Sequence, residues 1–311
     1  MGQIKRSIGI GANLIVAAVF AVIGGESRAP AADSFSCSPG KPNAAKGSCD
    51  CPAGYTASAI GGVAKCIPPA PTISKIVPKA VCPGGMAYIG PGSFNFGDAA
   101  VAGTKATVGA YCLDINEVTA DQYKSCVTSG ACTAAIKDDF CTYDAIGMGN
   151  HPINCVDWNQ SLTYCALQGK RLPTEAEWEW AARGQAKGTT FPWGDTMPDG
   201  TMMNGCGAVC VAMVKVRKGW DWVSTYPGAD PWPETAPVGS FPAGNTASGV
   251  HDLAGNVWEW TSSMYNSTTE HVGKGGSWSI DKPMFATAFY RHHQLATYVN
   301  SDFGFRCAKT P

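Results

Sequence analysis

The chain has 311 residues, a net charge of −1 and only 15% charged residues. That balance excludes the electrostatic footprint of a nucleic-acid or anionic-membrane binder, so no nucleic acid is expected as a partner. Hydrophobic residues are 45% and ten residues are Trp, while Gly (37) and Pro (21) approach a fifth of the chain, which predicts a loop-rich fold without long regular helices.

The N-terminus reads as an export signal over residues 1–32. Lys5 and Arg6 precede an uncharged, mostly apolar run from Ile8 to Ile23, and Ala29-Pro30-Ala31 offers a small-x-small cleavage site. The run is short for a membrane span, which needs about 20 residues. Cleavage would leave no span, and no Cys follows closely enough to suggest a lipid anchor. The expected location is the periplasm or the exterior.

Fourteen Cys follow this leader. In an exported chain an even count points to disulfides. Cys49-Asp-Cys51 is too tight for the usual zinc pair, and no His sits near a Cys pair. Residues 33–68 form a small Cys-rich segment with Cys37, Cys49, Cys51 and Cys66, which has little core of its own and depends on its staples. Residues 69–81 have the composition of a semi-rigid linker, with Pro69, Pro71 and Pro78. The main domain is expected over 82–311.

Within it, short strands are expected at Met86–Ile89 and Ser93–Phe96. Three helices are announced by capping boxes: Thr119-Ala-Asp-Gln122, Asp157-Trp-Asn-Gln160 and Thr174-Glu-Ala-Glu177. Glu175 and Glu177 suit the positive end of the third helix dipole. Ser277–Ile280 and Phe303–Cys307 complete the set of short strands and turns. The fold class is α+β with low regular secondary structure, and disulfide-rich.

Several motifs follow in order: Met86-Ala-Tyr-Ile-Gly-Pro-Gly-Ser-Phe-Asn-Phe-Gly97, Asp114-Ile-Asn-Glu-Val-Thr119, His151-Pro-Ile-Asn-Cys-Val-Asp-Trp158 and Gly169-Lys-Arg-Leu-Pro-Thr-Glu-Ala-Glu-Trp178. Then come Phe191-Pro-Trp-Gly194, Pro237-Val-Gly-Ser-Phe241, Gly255-Asn-Val-Trp-Glu-Trp260, Gly275-Gly-Ser-Trp278 and Gly304-Phe-Arg-Cys307. Together they resemble the formylglycine-generating enzyme (sulfatase-modifying factor) family over about residues 82–311. The resemblance implies that family's fold, a much-elaborated C-type-lectin-like one. Fold does not fix function, because the same scaffold serves oxidases and binding proteins.

In the oxidases of the family, two copper-binding cysteines fall three and eight residues after the Ser of Gly-Gly-Ser-aromatic. Here those positions are Ile280 and Phe285, and no Cys lies between Cys210 and Cys307. No catalytic residue is therefore carried over, and copper is not expected. A different redox metal would need converging imidazoles and carboxylates. The His available are His151, His251, His271, His292 and His293, and the last two would point to opposite faces of a strand.

The resemblance implies structural calcium held by hard oxygens. One set would be Asn256 and Glu259 with the carbonyls of Gly255 and Val257. A second would be Asn204 and Asp230 with the carbonyls of Gly205 and Trp232. The alternative for Glu259 is an ion pair with an Arg such as Arg171. The resemblance also implies a Cys165–Cys307 bridge. Cys206 and Cys210 are expected to pair locally. Among Cys82, Cys112, Cys126, Cys132, Cys141 and Cys155, fifteen pairings are open, with Cys82–Cys112 favoured.

The stretch between Trp278 and Gly304 would line the family's cleft. It offers Trp278, Asp281, Tyr290, Arg291, His292 and Asn300 as a ligand face. The alternative is packing, with Phe285, Phe289 and Tyr290 inside and Arg291 paired to Asp252 or Glu259. The reading is an exported family member that binds or scaffolds at the cell envelope, with an unknown protein, peptide or envelope ligand. The other reading is an oxidoreductase with diverged oxidative chemistry.

Overall fold

The computed structural model describes residues 41–43, 48–53, 55–60, 63–67, 82–97, 104–228, 230–266 and 269–311. The expected leader and Pro-rich linker lie outside these residues. The chain divides into two compact units, Met1–Ile76 and Val77–Pro311.

The first unit contains two antiparallel pairs. Strand β1 (Lys41–Asn43) pairs with β2 (Ser48–Asp50), and β3 (Thr56–Ile60) pairs with β4 (Val63–Ile67). A Cys51–Cys66 disulfide staples it, and Cys49 is also disulfide-bonded. Cys49, Cys51 and Cys66 pack on one another as its small core, as a segment too short for a conventional core requires.

The second unit opens with β5 (Met86–Ile89), β6 (Gly92–Asn95), β7 (Lys105–Val108) and β8 (Tyr111–Asp114). Three helices follow, α1 (Ala120–Thr128), α2 (Trp158–Leu167) and α3 (Glu175–Ala182), each closed by its reciprocal capping box on Thr119, Asp157 and Thr174. A fourth helix, α4 (Ala208–Lys218), was not foreseen: its N-cap is Gly207, which supplies no side-chain cap. Strands β9 (Trp258–Tyr265), β10 (Glu270–Lys274), β11 (His292–Leu295), β12 (Phe303–Gly304) and β13 (Ala308–Lys309) complete the unit.

One sheet runs β11-β10-β9-β12 and another β13-β8-β5. Strand β12 lies parallel to β9, with Gly304 opposite Glu259. The Ser277–Ile280 segment is a turn rather than a strand, and the expected strand at Phe303–Cys307 is only two residues long. Beyond β12, Cys307 is bridged to Cys165 and donates its N–H to Asp114.

Trp178 and Trp180, the two indoles of α3, are buried as expected. The Trp180 indole donates to the Gly90 carbonyl at 2.8 Å, and the Trp178 indole donates to Glu259 at 2.7 Å. Burying an indole with its N–H satisfied keeps the packing gain without a desolvation loss. Glu259 does not pair with Arg171, which instead bonds Glu177 through both guanidinium nitrogens at 2.6 and 2.7 Å. Glu259 pairs with Arg306, two residues beyond the strand that lies against it.

Cys165–Cys307, Cys206–Cys210 and Cys82–Cys112 are bridged, as expected. Cys126–Cys132 and Cys141–Cys155 settle the open pairings. No cysteine among the described residues is free.

Candidate functional site

The turn after Ser277 and the short helical turn at Pro283–Ala286 carry Ile280 and Phe285 to one wall of a cleft of about 340 Å³. Trp258 from β9 and His292 from β11 supply a second wall. Tyr290, Tyr298, Gln294, Ser279, Asp281 and Asp302 complete the lining. The rings pack on one another, Trp258 on His292 at 4.8 Å, Phe285 on Tyr290 at 5.0 Å and Trp258 on Tyr290 at 5.9 Å between centroids. Burial and the neighbouring His293 push the His292 imidazole down to about 4, so it is neutral at neutral pH.

A second cleft of about 410 Å³ adjoins the first. It shares Ser279 and Asp302 and adds Phe140, Trp220, Trp222, Trp278 and Asn300. Asp302 therefore stands between the two. Its Oδ2 accepts from the Ser279 hydroxyl at 3.1 Å, while its Oδ1 is enclosed and has no donor. Enclosure pushes its carboxyl up to about 6, because the charged form loses hydration.

Of the six residues expected on a ligand face, Asp281, Tyr290 and His292 meet in the first cleft, and Trp278 and Asn300 in the second. Arg291 joins neither. It bonds Glu175 at 2.6 and 2.9 Å and covers the Tyr265 ring, so it pairs with neither Asp252 nor Glu259. Phe285 and Tyr290 are half-buried, lining the cleft and packing against the core beneath it. The sequence did not single out Trp258, Tyr298 or Asp302 as site residues, because only the β9–β12 pairing and the Trp278 turn bring them beside Ile280.

The five histidines are dispersed. His151 bonds Thr235, His251 bonds Asn116, and His271 stacks on Trp158. His292 and His293 stack on Trp258 and Tyr265 respectively, as opposite faces of β11 require. Among the described residues no three His, Cys, Asp or Glu side chains converge as a metal site. Each expected calcium set would therefore rest on a single carboxylate with amide and carbonyl oxygens.

The two expected calcium sets differ in how their oxygens are used. In the first, Glu259 accepts from Arg306 and Trp178, and Asn256 Oδ1 accepts from the Ala236 N–H and the Asn204 amide. Its side-chain oxygens are engaged by protein donors, so the arrangement does not fit an open ligand set. Beside it, however, Glu117 Oε1 is buried without a donor. Burial, with Asp252 and Glu259 nearby, pushes the Glu117 carboxyl well up. In the second set, Asn204 Oδ1 is likewise enclosed without a donor. Asp230 is buried and accepts from Tyr226 and the Trp232 N–H. Gly255 meets Asn204 directly: its φ is +81, and any side chain there would collide with the Asn204 carbonyl. The orphaned Asn204 oxygen is a hard donor of the kind calcium takes, whereas both Asp230 oxygens already accept protein hydrogen bonds.

The model of the sulfatase-modifying factor enzyme 1-like domain matches residues 73–311. "Inactive C-alpha-formylglycine-generating enzyme 2" of Bos taurus is 36% identical over 172 residues, covering 50% of this chain and 50% of that protein. "Formylglycine-generating enzyme" of Mus musculus is 34% identical over 185 residues, covering 51% of this chain and 44% of that protein. The chain thus spans about half the length of these relatives or less. The structure of PvdO from Pseudomonas aeruginosa superposes with a TM-score of 0.56 at 22% identity, over 73% of this chain and 94% of that one. At that identity the likeness concerns the fold. The fold, the ordered motifs and the domain match agree that the chain belongs to the formylglycine-generating enzyme (sulfatase-modifying factor) family.

Proposed function

We propose that this chain is an exported, non-catalytic family member that binds a ligand at the cell envelope through the cleft around Ile280 and Phe285. The observation that carries the reading is the chemistry of that cleft. Where the resemblance would put two copper-binding thiolates, an aliphatic side chain and an aromatic ring stand among other rings. Soft thiolate pairs select Cu(I), and every described cysteine is held in a disulfide. The bridges suit an oxidising compartment. Among the described residues no helix is long and apolar enough to cross a membrane.

The test is co-expression with a Cys-type sulfatase peptide, followed by mass spectrometry of the peptide. The Cys is expected unchanged; its conversion to the aldehyde would overturn the reading. Copper or iron recovered in stoichiometric amount with the purified protein, together with turnover of a thiol, would favour diverged oxidative chemistry instead.

Calcium is part of the same reading. Asn204, Asp230 and the carbonyls of Gly205 and Trp232 would hold it, and its charge would satisfy the orphaned Asn204 oxygen. It would brace the loop between α4 and Trp232 rather than take part in chemistry.

A further inference from the structure

We infer that the Ile280–Phe285 cleft binds an alkylammonium group bearing N–H bonds, and that Asp302 accepts one of them. The inference rests on the non-catalytic reading of this cleft and names its ligand class.

The walls supply the first argument. The rings of Trp258, Phe285, Tyr290 and Tyr298 line the cleft, and ring faces attract a cation held within about 6 Å of a centroid. The structure already contains such a contact on one of these rings: Lys282 Nζ stands 5.9 Å from the Phe285 centroid, although Lys282 does not line the cleft.

Charge supplies the second. The lining contains two carboxylates, Asp281 and Asp302, and neither Lys nor Arg. The neutral His292 adds no positive charge. An anionic ligand is repelled here, and a neutral alcohol or sugar leaves both carboxylates without a counter-charge.

The third argument separates kinds of cation. Asp302 Oδ1 is enclosed without a donor, while Oδ2 has Ser279. An enclosed oxygen left unpaired costs free energy that a ligand N–H would recover. A primary ammonium can donate; a quaternary one cannot. At about 340 Å³ the cleft is at the small end of ligand pockets, with room for a lysine-like stem and its head.

That chemistry can come from a lysine side chain on a protein partner or from a free amine. The full chain would be titrated, by ligand-observed NMR, with n-butylammonium, Nα-acetyl-lysine methylamide, tetramethylammonium and n-butanol. Both primary ammonium probes are expected to bind, tetramethylammonium more weakly and butanol not measurably. Asp302→Asn should weaken the primary ammonium probes at least about tenfold, as loss of a charged hydrogen bond does. Tyr290→Leu should weaken all cations about fivefold. Tighter binding of the lysine derivative assigns the site to a protein partner, and tighter binding of butylammonium to a free amine. Equal binding of butanol, or affinity unchanged in a folded Asp302→Asn variant, overturns the inference. Should Asp302→Asn not fold, Tyr290→Leu and the tetramethylammonium comparison decide it alone. Silence of all probes sinks the ammonium ligand but leaves the non-catalytic reading standing, since that falls only to oxidation of the sulfatase peptide or to metal-dependent turnover of a thiol.

Discussion

Glu259 and Arg306 form a two-pronged ion pair at 2.7 Å on each prong, and neither side chain is exposed. Every remaining Arg306 donor is also placed: Nη1 donates to the Asp114 and Ile115 carbonyls, and Nη2 to those of His251 and Asp252. The guanidinium thus joins β8, the loop before Gly255 and β9 in one polar knot. Breaking a buried pair strands a charge, which costs about 3–5 kcal/mol. Arg306→Met and Glu259→Gln should each lower urea-unfolding stability by that amount. The double variant should lose less than the sum of the two. Additive losses would show that the pair itself contributes nothing.

Cys165–Cys307 closes a loop with a sequence separation of 142. In the chain-entropy model such a closure contributes about 5 kcal/mol. Replacing both cysteines by Ala should lower the denaturant midpoint far more than replacing Cys126 and Cys132, whose separation is only 6. Equal losses would mean that local packing, not loop closure, sets the contribution.

Acid titration should separate two groups that act in opposite directions. Asp302 sits at about 6, above its ordinary 3.8, so the folded state binds its proton more tightly. Its contribution to stability therefore grows as pH falls from about 6 towards 4, by at most about 3 kcal/mol. His292 sits at about 4, below its ordinary 6.5, so the folded state resists its protonation and stability is lost over much of the same window. Asp302→Asn should steepen the acid loss, and His292→Gln should flatten it. The other titratable groups facing Asp302 across the two clefts are Asp138, Asp139, Lys218, Asp281, Tyr290 and Tyr298. Unchanged profiles in both variants would assign the acid transition to other groups.

Calcium should raise the melting temperature in proportion to the logarithm of its concentration, with about 2.7 kcal/mol gained at a hundredfold excess over Kd. Chelation should reverse the gain, and Asn204→Ala should abolish the response. A response that survives Asn204→Ala would move the ion elsewhere, with the orphaned Glu117 Oε1 the next place to look.

Much of the fold was legible because its signals are local. Thr119, Asp157 and Thr174 cap their helices through residues three positions on, and a reader of the sequence sees both partners at once. Helix α4 escaped because Gly207 carries no such signal. Ile280 and Phe285 could be placed by register from Ser277. Asp302 could not: its enclosure needs Ser279 and the Trp278 turn, brought up by chain more than twenty residues away. The partner of Glu259 was hidden for the same reason, since a parallel β9–β12 pairing and not sequence proximity selects Arg306.

The order of the bridges has a mechanical consequence. Cys82–Cys112, Cys126–Cys132, Cys141–Cys155 and Cys165–Cys307 succeed one another without interlacing. A chain pulled from both ends would have its second unit short-circuited between Cys82 and Cys307, save for the runs between successive bridges. Most of the cleft-bearing half, from Cys165 onward, would stay slack while force passed directly through one sulfur–sulfur bond. Stretched by a tether at either end, the second unit would lengthen through the runs between bridges, and the cleft would stay off the load path.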